Sequence, residues 1–162
     1  MGKERSEDKK EKTTEQERSR IRISVRNLVE FLLREGDIDN RHRQSVSPEA
    51  MLEGSRMHRK IQKRQGSDYH AEVPLRLVIT EENYDIFLEG RADGIQISSR
   101  SGREVDFSDN FHTMEIEPDM DVMIDEIKGV YMKLEHLTEP VRVHKAQAMC
   151  YAYIFALQHD IA

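Results

Sequence analysis

The stretch Ile124-Asp125-Glu126-Ile127-Lys128 reads as a short apolar strand carrying a carboxylate and a lysine two residues apart. Side chains on a strand alternate between faces, so Glu126 and Lys128 point one way while Asp125 and Ile127 point the other. An acid and an ammonium side by side at a strand end can serve one reaction together. The acid holds a hard metal ion, and the lysine orients a water or stabilises charge on a phosphate. Glu-x-Lys is a cheap pattern by itself, and a solvated strand face with an internal ion pair would look the same. The flanking Val122, Ile124 and Ile127 favour a strand buried on both sides, where unpaired charge is expensive.

The chain has 162 residues, enough for one domain with a sizeable core. Its 31 acids against 25 bases give a formal charge of -6, which argues against nucleic-acid binding by bulk charge but leaves room for a local basic groove. The acids cluster, with nine Asp or Glu and no Lys or Arg from Glu104 to Glu126. A single cysteine, Cys150, rules out an internal disulfide and a four-cysteine zinc or iron–sulfur site, and reads as a small buried hydrophobe. No apolar run reaches the roughly 20 residues that span a bilayer, and the start lacks the apolar segment of a secretory signal. A cytoplasmic protein without a membrane partner is the expectation.

Residues 1–20 mix seven bases with six acids and hold no apolar residue after Met1, the composition of a disordered charged leader. The domain is expected over 21–162. Ser24 caps a helix with Val25, Leu28, Val29 and Leu32 at helical spacing and Gly36 as its stop, and a polar loop follows from Asp37 to Gln44. Ser47-Pro48-Glu49 starts a second helix that runs to about Gln65. Alternation then takes over. Val73, Leu75, Leu77 and Ile79 make one strand, Glu82-Asn83 a turn, and a second strand starts at Tyr84. Residues 98–120 are a polar excursion, Val122 to about Val130 the central strand, and Val143 to Gln158 the last helix. That order of elements makes an α/β domain. No strand follows the last helix, which suggests a domain cut from a longer chain, with an open sheet edge that invites a homodimer.

Polar residues recur where core-seeking elements would not place them. Gly54 and His58 are one turn apart on a helix face that Met51 and Ile61 extend inward, and Gly54 would allow close backbone approach. A buried histidine satisfied by backbone is the plain alternative. Asp93 sits among Gly90, Ala92 and Gly94, small residues that allow a ligand close approach, though an ordinary turn would also suit it. Gln147 and Tyr151 share a face of the last helix, whose Ala146, Met149, Cys150, Tyr153, Ile154 and Leu157 are expected to supply the core. Such a pair is often only a helix's wet edge.

In this order the residues resemble the PD-(D/E)XK nuclease superfamily, in its RecB-like branch: G-x-x-x-H at Gly54–His58, G-x-x-D at Gly90–Asp93, D-E-x-K at Asp125–Lys128 and Q-x-x-x-Y at Gln147–Tyr151. The match covers about residues 47–155, and the helix at 24–35 resembles the entry helix of such domains. The stretch between Asp93 and Glu126 is longer than in compact members, and the iron–sulfur variant is excluded by the cysteine count. The resemblance implies a restriction-endonuclease-like mixed sheet flanked by helices. It implies hydrolysis of a DNA phosphodiester with Mg²⁺ or Mn²⁺. Asp93, Glu126 and Lys128 would be catalytic, with His58, Asp93, Glu126 and the Ile127 carbonyl on the metal. Gln147 and Tyr151 would position the substrate strand. It also implies a helicase domain in the same polypeptide and a place in DNA repair. Two other readings stay open: a non-catalytic DNA-binding or scaffolding module that keeps the fold, and an acidic protein-interaction domain built on residues 104–126.

Overall fold

The computed structural model describes residues 18–34, 47–105, 113–130 and 133–161. It is a mixed α/β arrangement in which a four-stranded mixed sheet is flanked by three α-helices among the described residues. The elements are β1 (Ser19–Ser24), α1 (Val25–Leu32), α2 (Pro48–Gln62), β2 (Tyr69–Thr80), β3 (Tyr84–Ser99), β4 (Met120–Asp125) and α3 (Arg142–Gln158). Both expected helix starts are found. Ser24 accepts from the Asn27 N–H and Ser47 from the Ala50 N–H, each satisfying an amide that the first turn leaves without a partner. The expected stop at Gly36, the loop 37–44 and most of the leader lie outside the described residues.

β3 is the central strand. β2 runs antiparallel along one edge of it, with Thr80 opposite Asp85 and Tyr69 opposite Gln96. That leaves a single edge for both other strands. β1 pairs in parallel with Tyr84–Glu89, and β4 pairs antiparallel with Gly94–Ser99. The two therefore lie end to end, and between them residues 90–93 of β3 have no strand partner on that side. Both strands stop at this notch: β1 hands over to α1 at Ser24, and β4 releases the chain after Asp125.

The sheet corrects three expectations. Ser19 and Arg20, assigned to the leader, belong to β1, whose Arg18 neighbour pairs with Asp85 at 3.4 Å. The strand thought central is a six-residue edge strand that ends at Asp125, so Glu126 and Lys128 lie on the irregular segment beyond it. β4 is also half-buried at most, with Asp121 and Met123 exposed on one of its faces.

The core gathers Val25 and Val29 of α1, Val73 and Leu75 of β2, Ala92, Ile95 and Ile97 of β3, and Tyr151, Ile154 and Phe155 of α3. Full burial of each large side chain is worth about 1.5–3 kcal/mol. α3 keeps the expected Ile154 in the core with Ala146 and Cys150 packed against it, but the rest of its expected inner face differs. Gln147 and Tyr151 face inward, while Met149, Tyr153 and Leu157, an equally regular apolar stripe, are exposed. The reason lies at Gly90, where a Cβ would come within 2.6 Å of Tyr151 Cε1 and Oη. The missing side chain is the slot that the tyrosine ring fills. α2 buries nothing completely. Gly54, His58, Ile61 and Gln62 form its inner side, but Met51 is exposed and a Cβ on Gly54 would meet nothing within 4 Å, so neither plays the role expected of it.

Candidate metal centre at the notch of the sheet

Asp93 closes the notch. One carboxylate oxygen accepts the Ile127 N–H at 2.6 Å, which ties the segment leaving β4 to β3 after the strand pairing has ended. The other lies 3.4 Å from His58 Nδ1 on α2. Gln62, one turn beyond His58, donates to the Asp93 carbonyl at 2.9 Å and to Glu72 Oε1 at 3.1 Å, clamping the helix onto the sheet. His58, Asp93 and the Ile127 backbone are thus brought together from three elements, while Glu126 lies outside the group of donor atoms that fall within 4.8 Å of one another.

Glu126 and Lys128 form an ion pair although they lie beyond the end of β4 and not on a regular strand. The Glu126 side chain is 5% exposed and that of Lys128 is 33% exposed. Beyond the lysine, neither Glu126 oxygen has a hydrogen-bond partner among the described residues. Burial pushes this carboxyl above its ordinary range, Lys128 pulls it back, and Asp93 raises it further. His144 on α3 stands nearby. Burial first, then the positive charges of Lys128 and Arg26, hold it below the usual imidazole value.

Gln147 and Tyr151 reach the notch from behind. They are 7% and 3% exposed, Gln147 Nε2 donates to Tyr151 Oη at 3.4 Å, and the Arg91 amide donates to the same hydroxyl. Tyr151 thereby meets one backbone group of the gap in β3, and both side chains are buried behind it, a different placement from an open strand-gripping face.

Three features escaped the sequence reading. Glu72 of β2 stands opposite Asp93, in the one position where the β2–β3 register is interrupted, between the pairs Ala71–Gly94 and Val73–Ala92. Its φ is 58°, left-handed for a residue with a Cβ, which costs about 1–2 kcal/mol. Its exposed pair with Arg91, at 2.8 Å, is worth about 0–1 kcal/mol and does not account for that cost. One donor atom from each of His58, Glu72 and Asp93 lies within 4.8 Å of the others. Tyr69 is the second. Its ring covers Gly94 and its hydroxyl, shielded from solvent, lies by Asp125; burial and then the Asp125 charge push it up to about 12. The third is the outer surface of α2 and its C-terminal end, where Arg56, Arg59, Lys60, Lys63 and Arg64 make no ion pair with another described residue. Of the three, this run alone carried a signal in the sequence, as five bases in nine residues without an acid.

The converging donors of His58, Glu72 and Asp93, carboxylate oxygens and an imidazole, suit a hard divalent cation. A buried carboxylate with an unused oxygen is the kind of group that an ion would satisfy. Comparison with family models, with curated proteins and with solved structures yields no match. No helix among the described residues is long and apolar enough to cross a membrane.

Proposed function

We propose that this chain is a metal-dependent deoxyribonuclease domain with the restriction-endonuclease-like fold of the PD-(D/E)XK superfamily. The observation that carries the reading is the incompletely satisfied, almost fully buried Glu126 carboxylate beside Lys128, facing the charges of Asp93 and His58 at a gap in the sheet. Asp93, Glu126, His58 and the Ile127 carbonyl would hold Mg²⁺ or Mn²⁺. When bound, such an ion lowers the pKa of water and neutralises charge growing on a phosphate. Asp93 fixes the Glu126–Ile127 peptide through the Ile127 N–H, which tethers the backbone between the two residues to β3. Lys128, partly exposed, is placed to release Glu126 and meet a phosphate oxygen. Tyr151, held by Gln147, meets the Arg91 amide two residues before Asp93.

The basic surface of α2 supports a polyanionic substrate. Its bases lie on the flank and back of the helix whose inner side carries His58, where they can hold phosphates away from the one to be cut. The purified chain is expected to degrade DNA with Mn²⁺ or Mg²⁺ and to stop in EDTA. Replacing Arg59 and Lys63 by Glu should weaken DNA binding in EDTA and flatten its dependence on log salt by about 2. DNA binding with no cleavage under any divalent cation would instead favour the scaffolding module.

A further inference from the structure

We infer that Glu72 is an additional ligand of the divalent cation, one that lies outside all four sequence motifs and is supplied by β2 from across the strand pair. The inference rests on the metal-dependent reading above and extends its ligand set. Glu72 and Asp93 face each other across β2 and β3, with the imidazole of His58 beside them, and donor atoms of all three lie within 4.8 Å of one another. Two ligands of one hard cation bound at about 2.1 Å are at most about 4.2 Å apart, so a small rotation of the exposed Glu72 side chain closes the set. An independent sign of a ligand comes from the far side. The Glu126 side chain is only 5% exposed, has no hydrogen bond except to Lys128, and is close enough to feel the charges of Asp93 and His58. The group is therefore an imidazole and two carboxylates, with the buried Glu126 and its partner Lys128 near enough to add their charges to it.

The Glu72 oxygens are held by two groups that an ion could displace. Arg91 Nε sits 2.8 Å from Oε2, and Gln62 Nε2 donates to Oε1 at 3.1 Å. Arg91 is itself largely exposed, so it can return to water when the carboxylate turns inward. Gln62 bridges Glu72 to the Asp93 carbonyl and so couples the two candidate ligands.

The test is titration of the full chain, stripped of metal, with MnCl₂, followed by calorimetry and by loss of the free Mn²⁺ paramagnetic resonance signal. Wild type is expected to bind Mn²⁺, Asp93→Asn to lose binding, and Glu72→Gln to bind roughly 10–100-fold more weakly. Arg91→Met, which frees Glu72 without touching it, is expected to bind more tightly. Should Glu72→Gln fail to fold by circular dichroism, Arg91→Met carries the test: tighter binding supports the ligand, and unchanged binding overturns it. Equal affinity in wild type and Glu72→Gln, with binding still lost in Asp93→Asn, overturns the role of Glu72 and leaves the metal-dependent reading standing. No binding by wild type at millimolar Mn²⁺ overturns both.

Discussion

Glu126→Gln is expected to abolish Mn²⁺-dependent DNA cleavage, by a factor of about 10³ or more, while making the protein more stable at neutral pH. The loss follows from removing a charged oxygen ligand where transition-state charge would be balanced. The gain follows from burial. Glu126 holds a charge away from water with only Lys128 to compensate, and its carboxyl is pushed above its ordinary value, burial being the largest cause. A carboxyl that keeps its proton more readily in the folded than in the unfolded chain favours folding at low pH. Its ionisation then costs stability as pH rises from the ordinary 4.5 through the higher folded value. The variant's advantage in melting temperature should therefore be small below pH 4.5 and grow above it, reaching the range of about 0.5–2 kcal/mol common for sites that trade stability for function. Thermal melts of both proteins between acid and neutral pH measure this. A variant less stable than wild type at neutral pH would mean that the Lys128 pair outweighs the desolvation of Glu126.

Gly94→Ala is expected to destabilise the fold by about 3 kcal/mol, the upper part of the range for overpacking. An added Cβ would fall on Tyr69 Oη and Cζ, a rigid ring with only two torsions. To make room the ring must leave Gly94, exposing its apolar face and removing its hydroxyl from Asp125, the neighbour of Glu126. Tyr69→Ala in the Gly94→Ala background should recover part of the loss, so that the two changes are not additive. An unchanged unfolding midpoint for Gly94→Ala alone would show that the ring moves freely and does not anchor the end of β4.

The parts of this fold that local chemistry decides were legible in the sequence. Ser24 and Ser47 cap the helices they precede, and alternation marks β2, where Val73 and Leu75 are buried while Pro74 and Arg76 are exposed. What depends on long-range pairing was not. SRIRIS has a period of two at Ile21 and Ile23, but as a largely exposed parallel strand its polar residues merge with the charged leader. The edge position of β4 follows from its sharing one side of β3 with β1, which no local pattern encodes. At the candidate site, His58, Asp93, Glu126 and Lys128 stand out because charge is costly beside glycine and isoleucine. Glu72 and Gln62 do not, since a glutamate in a strand next to Ala71 and a glutamine at a helix end are ordinary until their partners are known. Gln147 and Tyr151 looked like the wet side of α3 because two stripes of that helix are equally regular, and only the Gly90 slot decides between them.

On the proposed function, His58, Asp93, Glu126 and the Ile127 carbonyl surround one ion. Anomalous scattering from crystals of the protein grown with Mn²⁺ tests it most directly. The expected result is a single strong peak in the notch between the ends of β1 and β4, within about 2.0–2.3 Å of an Asp93 oxygen and a Glu126 oxygen. A notch without a peak, with Mn²⁺ found only on exposed acids such as Asp119 or Asp121, would contradict it.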